Sequence, residues 1–143
     1  MKTNAEVARE FARGRNAQGG NIASIYGNLY SYSTKIAVMY GGTILLTCND
    51  YSATTARHKL HLRRAAGAAG DAIFEVPEID NTTTGATERN RAYLRNLVEF
   101  WRGKMDRSRN DRTRIYYRYQ MDAAADKATA FEEWTSKEEE DAK

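Results

Sequence analysis

From Leu29 onward, apolar and polar positions alternate with a period of two. Tyr30, Tyr32, Ile36, Val38 and Tyr40 share one face, and Ser31, Ser33, Lys35, Ala37 and Met39 the other, as successive side chains of a β-strand do. Gly41-Gly42 follows and predicts a two-residue I′ hairpin turn, which needs positive φ at both central positions. Pairing Tyr40 with Thr43 then sets Val38 against Leu45 and Ile36 against Thr47. On the reverse face Met39 meets Ile44 and Ala37 meets Leu46. Both faces of this hairpin, 29–48, are substantially apolar. A lone hairpin is marginal in water, so at least one face needs a cover of helices.

The helical segments are read from i,i+4 spacing. Val7 with Phe11 and Ala8 with Ala12 predict an N-terminal helix over about 3–16, ended by the glycines of "AQGG". After the turn residues "NDYS", Ser52 or Thr54 is a good N-cap for a helix running to about Ala66, bounded by Gly67 and Gly70. "AIFEVPEI" predicts a strand at 72–76, pushed to a sheet edge by Pro77, the only proline. Leu94, Leu97, Val98, Trp101 and Met105 form the stripe of a helix from about Thr87 to Met105. A last helix starts near Thr113, with Ala123, Ala130 and Trp134 toward the core, before an acidic tail that frays over about 137–143. No repeat or linker interrupts the chain, so a single domain, 1–143, is expected. Its class is α+β: a small antiparallel sheet (hairpin 29–48 plus edge strand 72–76) packed against three or four helices.

Composition narrows the setting. A hydrophobic fraction of 41% and a charged fraction of 29% are those of a soluble globular protein. The longest apolar run, "TILLTC", falls far short of the ~20 residues that span a bilayer, so no membrane partner is expected. The polar N-terminus lacks an apolar h-region, which argues against secretion. Cys48 is the only cysteine, excluding an internal disulfide and making the cytoplasm the default compartment. Charge is uneven. Residues 88–118 carry ten Lys/Arg against four Asp/Glu, and residues 119–143 carry three against eight. The basic block invites a polyanion, and the acidic end can repel one or fold back and neutralise the block.

Two segments carry candidate chemistry. In "YSATTARHKLHLRR", Arg57, His61 and Arg64 lie on one helical face with Lys59 and Arg63 alongside. The helix N-terminus and the hydroxyls of Ser52, Thr54 and Thr55 suit a phosphate. A plainer reading explains the same residues: Ser and Thr cap the helix, Leu60, Leu62, Ala65 and Ala66 pack, and the basic side chains are solvated. His58 and His61, at i,i+3, have no carboxylate or thiol at metal-motif spacing, and positive neighbours oppose a cation. No metal or cofactor is expected. Cys48 reads as a small buried residue.

The second segment is "RGKMDRSRNDRTRIYYRYQ". Arg112, Arg114 and Arg118 alternate with Tyr116 and Tyr117. Guanidinium groups pair with phosphates and tyrosine faces stack on unpaired bases, so single-stranded DNA or RNA is the favoured partner. The same residue types are enriched at protein interfaces, and a homodimer stays open. Phosphate-loop, dinucleotide, zinc-protease and nucleophile-elbow motifs are absent, and paired carboxylates are missing from the ordered middle. No enzyme activity is predicted.

Leu29, Ser31, Tyr32, Thr34, Ile36 and Ala37 form "L-x-S-Y-x-T-x-I-A", and Tyr51, Ser52, Thr54, Thr55 and His58 form "Y-S-x-T-T-x-x-H". About a quarter of the chain thereby resembles a group of small, mostly uncharacterised proteins of tailed bacteriophages. The resemblance implies a phage origin and action in the host cytoplasm. It implies a nucleic-acid-binding accessory protein or an anti-defence inhibitor of a host protein, and no particular reaction.

Overall fold

A computed structural model describes residues 1–142. The chain is α+β and divides into two compact units, one from Met1 to Asp80 and the other from Asn81 onward. Each is taken by itself.

The first unit opens with α1 (Asn4–Ala12). The Thr3 hydroxyl accepts from the Glu6 N–H at 3.2 Å, and the Glu6 carboxylate accepts the Thr3 N–H at 3.2 Å. This reciprocal cap fixes the start. The helix stops at Ala12 rather than Asn16, because Gly14 turns left-handed with φ 75°. The expected turn at 17–20 is instead partly a strand. β1 (Ala17–Gln18) and β2 (Ile22–Ile25) pair antiparallel, and neither is visible in the Gly- and Asn-rich sequence around them.

Six strands follow one another in spatial order β1 to β6. β2 turns into β3 (Asn28–Ser31) through Tyr26 and Gly27, both at positive φ (47° and 80°). The I′ turn therefore sits here. At Gly41-Gly42 only Gly41 is positive (φ 63°), the sign pattern of a II′ turn. The run from Leu29 to Tyr40 is likewise two strands, β3 and β4 (Thr34–Tyr40), broken at Tyr32-Ser33. The break inverts the phase of the alternation: Ser31 pairs with Thr34 and Tyr30 with Lys35, so Tyr30 and Ile36, expected on one face, lie on opposite faces. Tyr32 itself takes a left-handed conformation, φ 57°, and its N–H donates to the Asn21 carbonyl at 2.8 Å. Beyond that break the expected register holds: Tyr40–Thr43, Met39–Ile44, Val38–Leu45 and Ala37–Leu46 join β4 to β5 (Thr43–Thr47).

α2 (Ala53–Ala69) runs through Gly67 and ends at Gly70, in the left-handed region with φ 76°. It carries the chain to β6 (Ala72–Val76), the edge strand that Pro77 anticipates. β6 lies parallel to β5, Thr43 opposite Ala72 and Thr47 opposite Val76. The sheet is thus antiparallel except at this crossover, since parallel neighbours need a long connection. Val7 and Phe11 of α1 and Leu62 and Ala66 of α2 meet Ile22, Leu29, Ile36 and Ile44 of the sheet in one buried core. Each large side chain buried there contributes about 1.5–3 kcal/mol.

The second unit is a helical hairpin, α3 (Ala86–Arg107) and α4 (Asp111–Asp141). Leu94 is buried, and Leu97, Val98, Trp101 and Met105 are half-buried, as the stripe predicts. α4 starts two residues earlier than expected because Asn110 caps it, its Oδ1 accepting from the Arg112 and Thr113 N–H groups at 2.9 and 3.2 Å. Its phase also differs by one residue. Ala124, Phe131 and Thr135 are buried, Trp134 is half-buried, and Ala123 and Ala130 are exposed. Rather than fraying at 137, the acidic end stays helical through Asp141. Lys143, also assigned to the tail, lies outside the described residues.

Candidate functional site

Within the first unit, β2, β3 and α2 bring a line of polar side chains into the interior. His58, fully buried, hydrogen-bonds through Nδ1 to the Ser31 hydroxyl at 2.7 Å and through Nε2 to Asn21 Oδ1 at 3.0 Å. The Ser31 hydroxyl also meets the Thr55 hydroxyl at 2.9 Å, and Thr55 meets Ser52 at 3.2 Å. Asn21 Oδ1 can only accept, so Nε2 carries the proton and Nδ1 accepts from Ser31. The hydroxyls then point one way, Ser52 to Thr55 to Ser31 to His58. Burial, with His61 adding to it, lowers the His58 pKa from 6.5 and so disfavours the charged ring.

A hydroxyl, an imidazole and an orienting amide in sequence are the parts of an activated nucleophile. Here Ser31 is 1% exposed and its remaining hydrogen-bonding capacity goes to Thr55. The arrangement therefore works as a clamp joining β3, α2 and Asn21, the residue before β2. Ser31, Ser52, Thr55 and His58 all belong to the two short patterns quoted above, "L-x-S-Y-x-T-x-I-A" and "Y-S-x-T-T-x-x-H". Their convergence is hidden in the sequence because β4 and β5 lie between Ser31 and the α2 residues.

Ser52 is the N-cap of α2, accepting from the Thr55 N–H at 3.2 Å, so the capping reading describes the local structure. Beside it lies a cleft of about 330 Å³, lined by Asn49, Tyr51, Ser52, Thr55, Lys59 and Arg63 among others. Lys59 is buried rather than solvated, with Nζ donating to the Asn49 carbonyl at 3.3 Å. Arg63 is paired with Glu75 of β6. Leu60, expected to pack, is 41% exposed. Of the candidate contact residues on α2, Arg57 and Arg64 are exposed and His61 is half-buried. Cys48 is a half-buried free thiol.

The second unit sorts its arginines into two groups. Arg91 pairs with Glu88, with Glu132 at 3.3 Å and with Glu139 at 3.1 Å, and Arg95 pairs with Glu132 at 2.7 Å. The acidic end of α4 thus neutralises the first part of the basic block. Burial opposes the Arg91 charge, but Glu139, Glu88 and Glu132 together hold its pKa above the usual value. Near the turn between the helices the pattern changes. Arg107, Arg109, Arg112 and Arg118 form no ion pair among the described residues. Arg114 is engaged locally, donating to the Ser108 carbonyl at 2.7 Å and pairing with Asp111 at 3.5 Å.

Aromatic rings gather at the same end. Tyr116 and Tyr117 lie 6.3 and 6.0 Å from Trp101 and 5.7 Å from each other, and Phe100 stands 5.1 Å from Trp101. Lys104 sits over the Phe100 ring at 5.5 Å. Tyr116 and Phe100 remain half exposed. Sequence spacing places Trp101 only in a packing stripe and gives Phe100 no role. Their contact with the tyrosines needs the helices to fold back on each other. The α2 candidates and the α4 candidates belong to different units. Among the described residues no group of three or more His, Cys, Asp or Glu is placed to hold a metal, and no helix is long and apolar enough to cross a membrane.

A six-stranded, mostly antiparallel sheet with one parallel edge, clamped to its covering helix by a buried histidine, defines the first unit. Residues 3–75 match a family of unknown function, DUF8033, and the chain belongs to it. The α3–α4 hairpin lies outside the matched residues. No curated protein and no solved structure matches the chain.

Proposed function

We propose that the chain is a non-enzymatic accessory protein that binds single-stranded nucleic acid through the turn end of the α3–α4 hairpin. Following the resemblance of its β3–α2 region to phage proteins, its setting is the host cytoplasm. One observation carries the reading. Four arginines with no carboxylate partner among the described residues, Arg107, Arg109, Arg112 and Arg118, flank a Trp101–Tyr116–Tyr117 cluster with an exposed ring. The other end of the same hairpin has its arginines neutralised by α4 carboxylates. Unpaired guanidinium groups supply phosphate contacts, and exposed rings supply stacking that tolerates any base. Arg57, His61 and Arg64 on α2 offer a further basic stripe for the backbone.

Fluorescence anisotropy with a labelled single-stranded oligonucleotide tests this. Affinity falls steeply with salt, and R112Q/R118Q flattens the log–log slope by about 1.4, at ~0.7 per phosphate contact on single strands. Y116A lowers affinity at every salt concentration, since stacking is not screened. Absence of binding at ~50 mM salt, where such contacts are strong, overturns the reading. The half-exposed Phe100 beside Trp101 then favours the second reading, an inhibitory surface for a host protein.

A further inference from the structure

The cleft at the start of α2 contains a charge that the fold leaves unanswered. Asp50, Tyr51, Ser52 and Ala53 are exposed at its rim, and Thr55 and Lys59 are buried at its floor. Lys59 is only 6% exposed. Its ammonium meets a single acceptor, the Asn49 carbonyl at 3.3 Å, and no carboxylate lies in ion-pair range among the described residues. An ammonium has three donors, so most of its capacity is unused. A buried charge without a counter-charge is costly. Both Lys59 and the Asn49 it touches line open volume rather than packed core.

Other donors border the same space. Arg63 directs Nε and Nη2 to Glu75, leaving Nη1 without a partner among the described residues. Ser52 caps the Thr55 N–H with its hydroxyl and the Ala56 N–H with its carbonyl. The Ala53 N–H, at the first helical position, therefore has no acceptor in the helix. The Ser52 and Thr55 hydroxyls are committed to the line running to His58, so the cleft's free donors are cationic and backbone groups. Asp50 is the acidic residue of the lining; it is exposed and pairs with neither Lys59 nor Arg63.

We propose that this cleft holds a small phosphate monoester, its phosphate seated on Lys59, Arg63 and the Ala53 N–H. Ammonium, guanidinium and a helix N-terminal amide are the donors that phosphate oxygens take, and a tetrahedral group offers three oxygens where a carboxylate offers two. The volume of about 330 Å³ exceeds what a phosphate alone fills and lies within the range of small-molecule sites. It leaves room for the carbon body of the molecule beside the exposed Tyr51. Arg57, His61 and Arg64 do not line the cleft, and the site belongs wholly to the first unit, so it stands apart from nucleic-acid binding by the α3–α4 hairpin.

Thermal melts and titrations of the full chain test this. Inorganic phosphate raises the melting temperature above that in chloride at equal ionic strength, as a ligand of the folded state does. K59M keeps the bulk of the side chain without its charge. It melts no lower than wild type in chloride and retains only the general salting effect of phosphate. A53P removes the N–H at a position where proline suits a helix, behind a Ser52 already extended at φ −109° and ψ 168°. It stays folded and binds phosphate about tenfold more weakly, as loss of a charge-assisted hydrogen bond predicts. D50N binds more tightly. Glycerol phosphate and adenosine monophosphate bind more tightly than inorganic phosphate, and acetate does not bind. A response that K59M or A53P retains in full, or that acetate matches, overturns the proposal. So does loss of the response in D50N, which assigns the cleft to a cation, or inorganic phosphate binding as tightly as the monoesters.

Discussion

His58 and Ser31 stand 2.7 Å apart, imidazole nitrogen to hydroxyl, both out of reach of solvent and 27 residues apart in the chain. One is on α2 and the other ends β3, so their bond fixes how the helix seats on the sheet. S31A leaves the ring nitrogen buried without a donor. The expected cost is about 1–3 kcal/mol, measured by urea unfolding. T54A, at a hydroxyl of α2 outside the network, serves as the control and stays near wild type.

Acid sensitivity follows from the same ring. Burial lowers the folded pKa of His58 below its ordinary 6.5, so the unfolded chain binds the proton more readily. The contribution is fully present above 6.5 and is lost as pH falls from there toward the lower folded value. Unfolding midpoints measured on both sides of 6.5 show a decline in the wild-type chain. H58N, less stable overall, lacks that part of the pH dependence. An equal slope in both proteins assigns the acid sensitivity to other groups.

Asp71, between α2 and β6, has a buried Oδ2 with no hydrogen-bond partner, and burial raises its pKa above 3.8. A raised carboxylate pKa means that stability is lost as pH rises through the interval above 3.8 and stays lost at neutral pH. D71N is neutral and removes this cost. Its melting temperature at neutral pH is expected to exceed that of wild type, with the difference disappearing in acid.

At the β4–β5 turn the two glycines are not equivalent. Gly41 has φ 63° with open space around it, whereas Gly42 is not at positive φ. G41A therefore costs about 1–2 kcal/mol through backbone strain alone, and G42A is close to neutral. Thermal melts of the pair distinguish this turn from the I′ form, in which both substitutions are costly.

Much of the architecture is legible in the pattern of residues. The β4–β5 register, the edge position of β6, the Ser52 cap and the apolar stripe of α3 each follow from local rules that tertiary contacts do not override. The misses share a physical origin. Tyr32-Ser33 makes a turn without glycine, asparagine or proline, held left-handed by a backbone bond to Asn21, which no local signal announces. Ala123 and Ala130 have the right spacing but the wrong phase, because alanine is small enough for either face of a helix. The candidate site divides in the same way. Arginines and tyrosines near the α3–α4 turn can be read off the chain, whereas the neutralisation of Arg91 and Arg95 by distant carboxylates cannot. The line from Ser52 to Asn21 joins residues whose types are common and whose meeting depends on three elements packing together.

The strand order β1 to β5 also governs how the first unit assembles. Each of these strands pairs with its predecessor across a short turn, so the sheet can zip up through local closures that each cost little chain entropy. β6 is the exception, because it can add to β5 only after the intervening α2 has formed and docked. Its pairing is expected to complete last in refolding and to open first under native conditions. In amide hydrogen exchange the β6 N–H groups bound to β5 should lose protection at lower free energy than those joining β4 to β5.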